Sequence, residues 1–113
     1  MQVKVVRDLL EANDRIASEN RASFDAAGVK VVNLMSAPGA GKTTLLERTV
    51  AQLQPLGLRI GVVEGDIQTS QDAERIEAAG ARAVQINTNG ACHLDANMIA
   101  AAIVDLPLQE LDL

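Results

Sequence analysis

The chain has 113 residues, which leaves room for one small domain. Its formal net charge of −5 and its isoelectric point near 4.7 argue against nucleic acid or an anionic membrane as the main partner. The 48% of apolar residues are mostly aliphatic, which suits helices packed on a buried parallel sheet. No stretch reaches the roughly 18 apolar residues that a membrane-spanning helix needs. A single cysteine excludes an internal disulfide and favours the cytoplasm.

The first segment, residues 4–26, is predicted to be a helix. Asn13 and Asn20, seven residues apart, interrupt its one-sided apolar stripe. The apolar positions are Val6, Leu9, Leu10, Ile16, Ala17 and Phe24. Gly28 is a natural C-terminal cap. Such a stripe could act as a dimerisation arm, but we expect residues 1–28 to pack on the domain's own sheet.

The rest of the chain alternates between strand and helix patterns. Strands are predicted at residues 30–35, 58–64 and 81–87, and helices at about 42–54, 70–79 and 94–104. Residues 111–113 look like the start of a further strand. This alternation predicts right-handed crossovers and a parallel sheet. Because ligands bind at the carboxyl ends of such strands, segments 36–44, 65–70 and 88–93 are expected to line one edge.

Residues 36–44, with the sequence SAPGAGKTT, indicate a phosphate-binding loop. They match the pattern G-x-x-x-x-G-K-S/T between a strand and a helix, except that Ser36 replaces the first glycine. Glycines let backbone N–H groups approach a phosphate, and Lys42 adds a cation for the β- and γ-phosphates. The Thr43 hydroxyl can ligate Mg²⁺. The alternative is a plain strand-to-helix loop with a surface lysine. The predicted nucleotide-binding residues are Gly39, Ala40, Gly41, Lys42, Thr43 and Thr44.

Two further candidate sites follow the later strands. Asp66 can hold Mg²⁺, directly or through water, or orient the attacking water, although it could also cap a turn beside Gly65. Cys92 and His93 are adjacent and are the only cysteine and histidine of the chain. Thiolate and imidazole are preferred ligands of Zn²⁺ and Ni²⁺, but two ligands make only half of a tetrahedral site. The pair alone therefore favours a buried thiol and a hydrogen-bonding imidazole.

Four segments together resemble the HypB family of hydrogenase maturation GTPases. They are residues 9–17 (LLEANDRIA), 33–49 (NLMSAPGAGKTTLLERT), 64–70 (EGDIQTS) and 90–96 (GACHLDA). Serine in place of the first loop glycine is usual in that family. The resemblance implies an α/β fold of the P-loop NTPase class, with a Rossmann-like parallel sheet flanked by helices. It also implies Mg²⁺-dependent GTP hydrolysis in the service of nickel insertion into nickel–iron hydrogenase.

The resemblance further implies roles for particular residues. Lys42 and Asp66 would act in catalysis, and Thr43 and Asp66 would bind Mg²⁺. Cys92 and His93 would bind Ni²⁺ or Zn²⁺ at the interface of a homodimer linked by nucleotide or metal. The implied ligands are GTP or GDP, Mg²⁺, and Ni²⁺ or Zn²⁺. The implied partners are a hydrogenase nickel-maturation protein and the hydrogenase large subunit.

The resemblance also implies a domain organisation. Residues 1–28 would be an N-terminal helix that packs on or extends from the GTPase domain. Residues 29–113 would be its N-terminal half, up to the third strand and the following helix. The second switch strand, a further cysteine ligand and the guanine-reading N-K-x-D motif are expected in the other half.

Three alternatives stay open at this point. The chain could belong to a related metallochaperone GTPase, of the urease accessory or cobalamin-linked type. It could be a small-molecule kinase, although that would need a lid of arginines, and the arginines here are scattered along the chain. It could also be a non-enzymatic metal-binding or dimerising module. The EGDIQT segment followed by Cys-His favours hydrogenase maturation.

Overall fold

The computed structural model describes residues 2–34, 41–65, 71–86 and 94–113. Four α-helices lie in these ranges: α1 (Gln2–Ala27), α2 (Lys42–Leu53), α3 (Gln71–Ala79) and α4 (Ala96–Ile103). Two strands, β1 (Gly61–Gly65) and β2 (Arg82–Ile86), pair in parallel. Short 3₁₀ turns follow α2 at Gln54–Leu56 and α4 at Leu108–Glu110. The predicted parallel α/β arrangement is therefore confirmed.

The long N-terminal helix ends where the sequence predicts. Gly28 adopts a φ of 71°, a left-handed conformation that residues with a side chain rarely take. Its N–H donates to the carbonyl of Asp25, and the Val29 N–H donates to that of Phe24. These two bonds satisfy carbonyls of the last helical turn, as a C-terminal cap requires.

One predicted strand, at residues 30–35, is wrong for the residues that the structure describes. Residues 29–34 form no strand, and the Val31 and Val32 side chains are 59% and 69% exposed. The extended segment 111–113 lies between Lys30 and the start of β1. Asp112 accepts from the Lys30 N–H at 3.1 Å, and Leu113 accepts from the Gly61 N–H at 2.9 Å. Strand pairing needs a neighbouring backbone, and no described segment pairs with residues 31–34.

The core consists of two clusters of buried aliphatic side chains. The larger cluster joins α2 and α3 to the strands, and Ile76 of α3 is its most completely buried member, with 0% exposure. Its other buried members are Val50, Ile60, Val62 and Ala81. The smaller cluster contains Val29, Leu106 and Leu111, and partly buried side chains of both strands, Val63 and Val84, pack against it. The larger cluster therefore packs α3 against the sheet, and the smaller one packs the segments that follow α1 and α4 against it.

Helix α1 packs mainly on another helix. Its neighbours are α4 and the turn at Leu108–Glu110, so it belongs to the helical layer rather than lying across the strands. The Leu9 and Leu10 side chains remain 66% and 60% exposed. Within the described residues, no helix combines the length and apolarity that crossing a membrane requires.

Candidate functional site

The structure describes part of the predicted site. Gly41, Lys42, Thr43 and Thr44 lie at the start of α2 and are described. The other predicted site residues lie outside the described residues: Gly39, Ala40, Asp66, Cys92 and His93. The described elements that flank them in the chain are α2, β1, β2, α3 and α4.

The carboxyl ends of the two strands lie side by side. Gly65, the last residue of β1, pairs with Ile86, the last residue of β2. Asp66 follows Gly65 directly in the chain, and the segment that contains Cys92 and His93 follows β2. The two segments therefore leave the sheet at neighbouring points of one edge, as parallel pairing predicts.

The first turn of α2 follows a glycine in the left-handed conformation. Gly41 has a φ of 87° and a ψ of 22°, in the left-handed region that favours glycine. Its carbonyl accepts from the Leu45 N–H at 3.0 Å, so the helix begins directly after it. No side chain at Gly41 caps the helix, and Lys42 and Thr44 are exposed. The first N–H groups of a helix have no partner within the helix, and together with the positive end of the helix dipole they favour an anion at this point.

A hydrogen bond joins the start of α2 to the end of β1. The Thr43 hydroxyl donates to Oε1 of Glu64 at 3.3 Å, and both side chains are partly buried. A hydroxyl that gives its hydrogen to a carboxylate keeps its lone pairs for a cation. Hydroxyl and carboxylate oxygens are also the donors that Mg²⁺ prefers. The residues present therefore fit a magnesium ion beside Thr43.

Glu64 was missed as a site residue in the sequence. It stands two residues before Asp66, at the carboxyl end of the strand that follows the phosphate-loop helix. An acidic residue at the end of such a strand is the signal that could have identified it. Sequence alone does not show that its side chain meets Thr43, because the two residues are separated by 21 positions.

Arg75 of α3 forms a second link to the first turns of α2. Its Nε donates to Oε2 of Glu47 at 2.8 Å, and its Nη2 donates to the Thr44 hydroxyl at 3.4 Å. The hydrogen bond and charge of Glu47 raise the pKa of the Arg75 guanidinium, which favours its protonated form. The elements on both sides of the segment that contains Asp66 therefore contact α2: β1 through Glu64 and α3 through Arg75.

The predicted metal ligands Cys92 and His93 lie outside the described residues, but α4, the helix that follows them in the chain, is described. Asp95 caps α4, and its side chain accepts from the Met98 N–H at 2.8 Å. The next residue, Ala96, is held by two asparagines of α1. In the part of the chain that the structure describes, no three His, Cys, Asp or Glu side chains cluster to hold a metal.

Comparisons with known proteins agree with this geometry. The sequence matches the family model of the CobW/HypB/UreG nucleotide-binding domain over residues 30–113. The hydrogenase maturation factor HypB of Rhizobium leguminosarum bv. viciae is 52% identical over 104 residues, covering 92% of this chain and 34% of that protein. HypB of Escherichia coli (strain K12) is 49% identical over 108 residues, covering 96% of this chain and 37% of that protein.

Solved structures of related proteins share the fold. The crystal structure of HypB from Helicobacter pylori in complex with nickel has a TM-score of 0.80 and 42% sequence identity, covering 89% of this chain and 47% of that one. The chain thus spans between 34% and 47% of the length of these relatives. The resemblance seen in the four sequence segments is confirmed. The chain belongs to the CobW/HypB/UreG family of nucleotide-binding domains.

Proposed function

We propose that this chain binds GTP and GDP with Mg²⁺ and serves, as part of a GTP-hydrolysing metallochaperone, in the insertion of nickel into hydrogenase. The observation that carries the proposal is the contact between Thr43 and Glu64. It brings the start of the phosphate-loop helix to the carboxyl end of β1, where α/β proteins bind nucleotides. The names of the curated relatives favour hydrogenase maturation over the urease accessory alternative.

The nucleotide part of the site follows from the start of α2. The backbone of residues 39–41 and the helix N-terminus bind the phosphates, and Lys42 neutralises their charge. Thr43 and Asp66 would hold Mg²⁺, and Glu64 accepts the Thr43 hydroxyl hydrogen, which leaves the oxygen lone pairs available to a cation. When bound, Mg²⁺ would supply positive charge to the phosphate oxygens. We also assign to Asp66, which follows Gly65 directly in the chain, the role of orienting the attacking water.

The metal-binding part rests on the Cys92–His93 pair. Thiolate and imidazole suit Ni²⁺ and Zn²⁺, and one solved relative is described as a complex with nickel. Two ligands from each of two chains complete a four-coordinate site, so we propose a homodimer linked by metal or nucleotide. The partners are a hydrogenase nickel-maturation protein and the hydrogenase large subunit, and the setting is the cytoplasm.

Titration with GTP, GDP and ATP, with and without Mg²⁺, tests the nucleotide proposal. Lys42→Ala should weaken GTP binding at least about tenfold, because hydrogen bonds to charged groups contribute about 1.5–3 kcal/mol. Lys30→Ala is the matched control, since Lys30 is exposed and its structural bond is made by its backbone N–H. Equal GTP affinities in the two variants would refute the proposed role of Lys42. Absence of nucleotide binding in the unsubstituted chain, with Ni²⁺ binding retained, would favour the metal-binding module instead.

A further inference from the structure

Two adjacent threonines at the start of α2 form hydrogen bonds of opposite polarity. The Thr43 hydroxyl donates to Oε1 of Glu64 at 3.3 Å. The Thr44 hydroxyl oxygen accepts from Nη2 of Arg75 at 3.4 Å. The partners determine these directions, because an ionised carboxylate can only accept hydrogen bonds and a guanidinium can only donate them. The two threonines therefore offer different groups to a ligand.

This difference matches the two components of a nucleotide that carries Mg²⁺. Thr43 has given its hydrogen to Glu64, so its lone pairs suit a cation. Thr44 uses a lone pair to accept from Arg75, and that bond leaves the hydroxyl hydrogen available to a phosphate oxygen. Thr44 is exposed in the first turn of α2, where the helix dipole also favours an anion. Its hydroxyl thus has the polarity that a phosphate requires.

Carboxylates on both helices hold the Arg75 side chain in place. Its Nε donates to Oε2 of Glu47 at 2.8 Å, and its Nη1 lies 3.9 Å from Oδ1 of Asp72 in α3. Glu47 follows Thr44 by three residues, about one helical turn, so one planar guanidinium reaches both. The two carboxylates oppose the charge of Arg75. The direction of its hydrogen bond to Thr44 therefore matters more to a bound anion than its charge does.

We propose that Arg75 is a positioning residue for the nucleotide, because it holds the Thr44 hydroxyl with its hydrogen available to a phosphate oxygen. This inference rests on the proposed function, since it requires a nucleotide at the start of α2. Arg75 stands 31 positions after Thr44 and outside the phosphate-loop motif. Helix α3 then takes part in nucleotide binding through a single side chain.

A double-mutant cycle on GTP affinity tests this role. Thr44→Val keeps the shape of the side chain but removes the hydroxyl, and it should weaken GTP binding about tenfold, because a hydrogen bond to a charged phosphate is lost. Arg75→Met removes the donor to Thr44 and should weaken binding about fivefold. The double variant should bind within about twofold of Thr44→Val, because no hydroxyl remains for Arg75 to hold. A loss of about fiftyfold, the product of the single effects, would overturn the inference.

Two further variants separate positioning from a change in folding or charge. Thr44→Ser retains the hydroxyl, so it should bind GTP within about twofold of the unsubstituted chain, and Arg75→Met should again cost about fivefold in its background. Arg82→Met is the matched control. It removes the same charge and an ion pair with Glu110 at 3.1 Å, at the start of β2, and it should leave GTP affinity within about twofold. Equal GTP affinities in Arg75→Met and Arg82→Met would overturn the inference.

Measurements in EDTA and a parallel Lys42→Ala variant show which proposal fails. The losses in Thr44→Val and Arg75→Met should persist in EDTA, because the Thr44 hydroxyl donates to a phosphate and not to the ion. Losses that disappear in EDTA would assign Thr44 to the ion and overturn the inference. If Lys42→Ala binds GTP as tightly as the unsubstituted chain, the proposed function fails first, and the inference fails with it. If only Lys42→Ala loses affinity, the inference alone fails.

Discussion

Replacing Glu64 by glutamine should change nucleotide affinity in opposite directions with and without Mg²⁺. Glutamine retains an oxygen that can accept from the Thr43 hydroxyl, but it removes the negative charge. A carboxylate charge attracts the ion, and two unit charges about 4 Å apart in water interact with about 1 kcal/mol, so the substitution loses about 1 kcal/mol of Mg²⁺ stabilisation. The affinity for Mg²⁺-GTP should therefore fall about fivefold. In EDTA the affinity should rise, because a carboxylate that repels the phosphates has been removed.

The assay is fluorescence titration with a labelled guanine nucleotide, in excess Mg²⁺ and in EDTA. Glu77→Gln is the control, since it makes the same change in charge at an exposed position of α3. The reversal of sign separates a role at the ion from general destabilisation, which would lower both affinities. If Glu64→Gln and Glu77→Gln bind Mg²⁺-GTP equally well, the reasoning that joins Glu64 to the ion is refuted.

Two further predictions concern stability. Ile76→Ala should lower the free energy of unfolding by about 2–5 kcal/mol and Ile76→Val by about 1 kcal/mol, since Ile76 is completely buried between α3 and the sheet. Urea denaturation measures both losses. A loss below about 1 kcal/mol for the alanine variant would contradict this packing. Asp112 accepts hydrogen bonds from the Arg59 side chain and backbone, which lower the pKa of its carboxyl group. Its stabilising contribution should be complete above the ordinary aspartate pKa of about 4 and disappear as the pH falls through the lowered value. Asp112→Asn should accordingly reduce the loss of stability in acid, and unchanged acid sensitivity would contradict it.

The helices and the parallel pairing were predictable from the sequence because they follow from local periodicity and turn residues. Gly28 ends α1 in a left-handed conformation, and α2 begins at Lys42 as the loop motif requires. The prediction of a strand at residues 30–35 was wrong because a strand forms only when a second segment pairs with it. Residues 31–34 have a suitable β-branched pattern, but the described neighbour on that side, segment 111–113, reaches only Lys30.

Contacts between distant residues were the part that the sequence did not reveal. The asparagines of α1 were visible as breaks in an apolar stripe, but their partner lies 83 and 76 positions away. The contact of Arg75 with Glu47 spans 28 positions in the same way. Periodicity identifies which side of a helix is apolar. The hydrogen-bond partner of a polar residue on that side depends on how the helices pack. The partners of these side chains are therefore visible only in the fold.

The two proposed ligand sites are supported by different groups of elements. The nucleotide end depends on α2, the end of β1 and α3, joined through Thr43–Glu64 and Arg75–Glu47. The proposed metal ligands precede α4, whose first residue, Ala96, is bonded to the two asparagines of α1. The segments that contain Asp66 and the Cys92–His93 pair follow the carboxyl ends of β1 and β2, which lie side by side at one edge of the sheet because Gly65 pairs with Ile86. Glu64→Gln is therefore expected to act first on the nucleotide. Any dependence of metal affinity on the bound nucleotide would have to pass through that edge or through a partner chain, and reciprocity then requires that metal alter nucleotide affinity by the same factor.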